Sequence, residues 1–123
     1  MVANTNTCEA VAVHCFDFRL QNFLNDWLTT RFGIRNYDRI SWAGSVKDYV
    51  YIQGQIDLAY RFHKIQKVIL INHEDCAAYG VAGTKERHIR DLGYAEETIK
   101  TKYPDLLVEK YYLHLNGTFE LIE

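Results

Sequence analysis

The segment KVILIN, residues 67–72, constrains this chain more than any other. Val68, Ile69, Leu70 and Ile71 follow one another with no polar alternation, which fits a strand covered on both faces. Such a strand belongs inside a parallel sheet, and parallel neighbours need long crossovers, usually helical. The rest of the chain can supply both. Residues 10–16 (AVAVHCF) read as another short buried strand. Leu20, Phe23, Leu24, Trp27, Leu28 and Phe32 recur at helical spacing, and Gly33 closes that helix. Residues 38–43 (DRISWA) read as a second strand. Ser45 with Asp48 has the Ser-x-x-acid form of a helix start, and the helix after it carries Ile52, Ile56, Ala59 and Tyr60 on one face. Past Gly83 a charged stretch reads as helix, interrupted near Gly93 and ended by Pro104. The tail KYYLHLNGTFELIE alternates on both sides of Asn116-Gly117, a hairpin signal.

Strands alternating with helices predict an α/β fold: a mainly parallel central sheet flanked by helices, with a C-terminal hairpin extending it. The expected order of the first three strands is second-first-third. At 123 residues, one domain over 1–123 is expected. The net charge of −2 gives no reason to expect nucleic acid or an anionic membrane as partner. The first residues, MVANTNTCEA, lack the pattern of a signal peptide, and no apolar run approaches the ~20 residues of a bilayer span. Three cysteines, Cys8, Cys15 and Cys76, are an odd number, which argues for a reducing, cytoplasmic setting. Aromatic residues at 14% suggest a rich core or a surface that a second copy covers, hence a homodimer or higher homo-oligomer.

In parallel sheets, sites form beyond the carboxyl ends of strands, where the winding reverses. Cys15 ends the first strand, Gly44 follows the second, and His73 and Cys76 follow the third. His73-Glu-Asp-Cys76 can turn two donors toward one ion, and Cys15 adds a soft third. Two thiolates and an imidazole with one open position suit catalytic zinc. The plainer reading makes both cysteines small buried apolar residues. A nucleophilic Cys15 in the H-C-x5-R loop of cysteine phosphatases fails, because Gln21 stands where that arginine belongs and the loop has no glycines. Asp17 and Arg19 share the strip HCFDFR with Cys15. A carboxylate near a thiolate needs a positive partner, and Arg19 can grip it through a two-pronged hydrogen bond. An ordinary ion pair is the alternative.

Taken together, C-x-D-x-R at Cys15, Asp17 and Arg19, H-x-x-C at His73 and Cys76, and the Ala43-Gly44 pair resemble the β-class carbonic anhydrases. The likeness runs from about Ala10 to Gly83 and resumes near Lys110. It implies zinc held by Cys15, His73 and Cys76, with Asp17 and Arg19 as the catalytic dyad beside a fourth position taken by water or, in a closed form, by Asp17. It implies reversible hydration of carbon dioxide to bicarbonate by zinc-bound hydroxide, and assembly from dimers. The departures are Phe18 for a usual Ser, Trp42 and Ser45 for asparagines beside Ala-Gly, Glu74 for Thr or Ser, and Ala77 for Gly. No counterpart of the family's N-terminal helical arm precedes Ala10, and most of the helical segment before the last strands is absent. Trp42 and Phe18 would narrow the entrance. This leaves two alternatives: a zinc-binding protein without this turnover, or a hydrolase for a small linear molecule such as carbonyl sulfide or carbon disulfide.

The other histidines and thiols have plainer expectations. His14 alternates away from Cys15 and reads as structural or surface. Cys8 reads as a spare thiol. His63, His88 and His114 have no partner by spacing. Tyr49 with Tyr51 and Tyr111 with Tyr112 read as core or subunit contact, and residues 85–102 as a solvated helix face.

Overall fold

A computed structural model describes residues 6–123. Strand β1, Ala10–His14, is buried along its whole length. Helix α1, Gln21–Phe32, leads to β2, Tyr37–Ser41. Helix α2, Gln53–His63, leads to β3, Lys67–His73, the strand expected from KVILIN. Helix α3, Lys85–Lys102, leads to β4, Leu107–Leu113, and the chain ends in β5, Phe119–Ile122. The sheet order is β2-β1-β3-β4-β5. The first four strands run parallel, and β5 returns antiparallel to β4.

The two faces of β1 and β3 explain their unbroken apolar runs. Val11, Val13, Val68 and Leu70 pack with Ile56 of α2 and with Leu92 and Ile99 of α3. Ala10, Ala12, Ile69 and Ile71 pack on the opposite side with Leu24 and Leu28 of α1. Period-two side-chain alternation thus divides each strand between two cores, and the molecule has three layers.

Two local expectations are corrected. Ser45 caps no helix: it lies buried at φ 54° after Gly44 at φ 82°, and its hydroxyl donates to the Val13 carbonyl at 3.4 Å. A short 3-10 turn at Tyr49–Tyr51 intervenes before α2, which starts without a side-chain cap. Nor does α3 break at Gly93. It runs unbroken from a Thr84 cap, whose hydroxyl accepts the Arg87 N–H at 3.2 Å. His88, Leu92, Ala95 and Ile99 bury one face, and that packing outweighs the ~1 kcal/mol that an interior glycine costs. The charges of α3 lie on its other faces, as expected, with Arg87 paired to Asp91 and Lys102 to Asp57. Among the described residues no helix is long and apolar enough to cross a membrane.

Candidate metal centre

Parallel pairing in register, Ala10 with Lys67 through Val13 with Leu70, brings the carboxyl ends of β1 and β3 side by side. Cys15 is the first residue past β1, His73 the last of β3, and Cys76 lies in the turn that follows. Their ligand atoms all lie within 4.8 Å of one another, and all three residues are buried. His73 Nδ1 meets the Glu74 carbonyl at 2.7 Å, which calls for a proton on that nitrogen. His73 Nε2 then carries the lone pair, and it is buried without a hydrogen-bond partner. A buried polar atom with no partner is costly unless something absent from the polypeptide satisfies it. The donor chemistry fits a borderline-soft cation: two sulfurs and one imidazole nitrogen. Contact between the two thiols lowers Cys15 and pushes Cys76 up. The Gly44 N–H also points at Cys15 Sγ, at 3.4 Å.

Asp17 and Arg19 lie beside this trio. Arg19 Nη2 donates to Asp17 Oδ2 at 2.7 Å and Nε to Oδ1 at 3.1 Å, while the Arg19 backbone N–H reaches Oδ1 at 2.8 Å. These bonds hold the Asp17 carboxyl down at about 2, well below the ordinary carboxylate range. Asp17 Oδ2 lies 4.0 Å from His73 Nε2. The carboxylate is therefore ionised, doubly gripped, and next to the one unsatisfied nitrogen of the trio.

The sequence model of the family described as "Putative carbonic anhydrase" matches residues 5–123. The chain belongs to this family. It is 29% identical to an uncharacterized protein of Rickettsia conorii, over 95% of this chain and 73% of that one. It is 27% identical to an uncharacterized protein of Rickettsia bellii, over 95% and 83%. Among solved structures, a carbonic anhydrase from Glaciozyma antarctica superposes with a TM-score of 0.67 at 17% identity, covering 93% of this chain and 81% of that one. A β-carbonic anhydrase from Trichomonas vaginalis gives 0.66 at 16% identity, over 99% and 87%. An apo carbon disulfide hydrolase gives 0.64 at 14% identity, over 96% and 80%. The fold is thus that of β-carbonic anhydrases, as the motifs imply.

Several residues that frame this trio were not singled out for it from sequence. Asp75, at φ 58° between the two donors of H-x-x-C, accepts from Arg19 Nη1 at 3.1 Å through its side chain and from Nη2 at 2.9 Å through its carbonyl. Gln21, which excluded the phosphatase loop, donates to the carbonyls of Asp17 and Cys15 at 2.7 and 3.3 Å. Arg39 of β2 donates to Gln21 Oε1 at 3.0 Å and to His14 Nε2 at 3.0 Å. His14 is buried, its ring bonded to the Cys15 carbonyl at 2.9 Å, and burial lowers it to about 4; it is a neutral brace. Glu74 accepts the Leu115 N–H at 2.9 Å, tying the turn before Cys76 to the β4–β5 hairpin.

The histidines without partners by spacing all have partners in space. His63 meets Asp38, His114 meets Glu120, and the fully buried His88 meets Asn72. Of the tyrosines, Tyr49 and Tyr112 lie in the core. Phe18 is 87% exposed. Trp42 stacks on Tyr51, ring centroids 5.6 Å apart.

Proposed function

We propose that this chain is a zinc-dependent carbonic anhydrase that interconverts carbon dioxide and bicarbonate, with Cys15, His73 and Cys76 as the zinc ligands and Asp17 and Arg19 as the catalytic dyad. The observation that carries this reading is the unpartnered, buried His73 Nε2, grouped with two thiols and 4.0 Å from a carboxylate already committed to an arginine. Zinc in a three-ligand site supplies Lewis acidity that brings the ionisation of water near neutral pH.

The chain's own residues do the rest. Asp17, ionised throughout the working range, would accept a hydrogen bond from a water held beside His73 and so orient it toward a substrate carbon. Arg19 fixes both oxygens of Asp17, and Asp75 fixes Arg19 from the other side. While that chain of contacts holds, the carboxylate stays off the metal position; when it breaks, Asp17 is free to swing toward the trio and close it. The Gly44 amide offsets negative charge on Cys15.

A second reading keeps the same ligands and changes the substrate to a sulfur analogue such as carbon disulfide. The carbon disulfide hydrolase superposes nearly as well as the carbonic anhydrases, so the fold favours neither. The adjacent thiols at Cys15 and Cys76 require a reducing compartment, which supports a cytoplasmic location. The two edge strands β2 and β5 and the exposed aromatics support a homodimer, and tetrameric β-carbonic anhydrases are known from Sordaria macrospora.

The test is elemental analysis of reduced protein, followed by hydration of carbon dioxide and hydrolysis of carbon disulfide on zinc-loaded and chelator-stripped samples. One zinc at this centre, lost in Cys76→Ala, with zinc-dependent hydration is the expected result. Zinc-loaded protein inert toward carbon dioxide removes the anhydrase reading, and a full metal complement in Cys76→Ala removes the ligand set.

A further inference from the structure

Beyond the Cys15 centre, one other set of metal donors converges among the described residues: Cys8, Asp38 and His63, with ligand atoms all within 4.8 Å of one another. They come from three elements: the segment before β1, strand β2, and the last residue of α2. The backbone arranges the meeting, because the Cys8 N–H donates to the His63 carbonyl at 3.1 Å. His63 Nδ1 lies 2.6 Å from Asp38 Oδ2, so the imidazole and the carboxylate already converge on one point. The three residues are half-buried and line a cavity of about 160 Å³, which has room for a water molecule. They lie at the amino ends of β1 and β2. Cys8 is seven residues before Cys15 along an extended segment, on the order of 20 Å away.

We propose that Cys8, Asp38 and His63 form a second divalent-cation site, of the zinc class, which clips the segment before β1 to β2 and α2. One thiolate and one carboxylate balance the ion's two charges, the imidazole is the third donor, and the cavity leaves the fourth position to solvent. Arg35 also lines the cavity, so a hard cation held by charge alone is disfavoured and the sulfur donor decides the class. The proposal is independent of the function assigned to the Cys15 centre.

Cobalt(II) titration of reduced, metal-stripped full-length protein tests it, with the near-ultraviolet thiolate-to-cobalt band and metal stoichiometry as readouts. Wild type should bind two equivalents, and Cys8→Ala and His63→Ala one each. Because the chain has three cysteines, a Cys15→Ser, Cys76→Ser double variant leaves Cys8 as its only thiol. That variant should keep one equivalent and a thiolate band. If it does not fold, the comparison of wild type with His63→Ala decides alone. One equivalent in wild type that both single variants retain, or two equivalents in both, overturns the proposal. One equivalent in wild type that both single variants lose would keep this site and remove the metal from the Cys15 centre instead.

Discussion

Gly44 tests how tightly the fold and the candidate centre are joined. Its backbone sits at φ 82°, where side-chain-bearing residues are strained. A Cβ there would lie 3.1 Å from Lys47 Cβ and 3.2 Å from Ala78 Cβ. The left-handed conformation costs ~1–2 kcal/mol for a residue with a Cβ. Forcing Lys47 and Ala78 apart by a few tenths of an ångström adds ~1–2 kcal/mol, the lower part of the overpacking range. Gly44→Ala should therefore destabilise by ~2–4 kcal/mol, and for a chain of this length each kcal/mol moves Tm by ~4 °C. Ala78 lies two residues past Cys76, and the Gly44 amide faces Cys15, so zinc affinity should fall as well. Denaturant unfolding in chelator reads the fold contribution alone, and zinc competition reads the centre. Gly93→Ala is the control of opposite sign. A Cβ at Gly93 meets nothing within 4 Å in the middle of α3, so alanine should stabilise by ~1 kcal/mol. Unchanged stability for Gly44→Ala refutes the close-packed turn, and a destabilised Gly93→Ala refutes the continuous helix.

Arg19→Ala should retain zinc and lower carbon dioxide hydration on the order of a hundredfold, because the carboxylate it grips is freed; stopped-flow rates beside zinc analysis check this. Asp75→Asn should cost at most about fivefold in rate, since that exposed pair is weak and the Asp75 carbonyl still holds Arg19. Arg19 holds the Asp17 carboxyl at about 2, below its unfolded value. The stability from that pair should therefore be complete above pH ~4 and vanish as pH falls toward 2, a limb that acid unfolding should find flattened in Arg19→Ala. Ile69→Ala, at a fully buried position in β3, should cost ~2–5 kcal/mol by denaturant melt.

What the sequence determined by itself is what depends on neighbours along the chain. KVILIN declares a strand buried on both faces, and the strand–helix alternation implies the parallel order around it. Residue types suited to a soft cation, at Cys15, His73 and Cys76, are also legible there as candidates. What only the tertiary structure decided is set by sheet register and layer packing. The apolar face of α3 meets the sheet and carries the helix through Gly93, although glycine alone argues for a break. Ser45 forgoes a helix cap because the Gly44 turn buries it against β1. Asp75 reaches Arg19, Glu74 reaches Leu115, and His63 reaches Asp38 and Cys8 across long stretches of chain, so spacing carries no trace of these contacts. Local pattern reports periodicity and propensity of about 1 kcal/mol per residue, whereas contacts between distant residues exist only once burial of the two cores has brought the strands side by side.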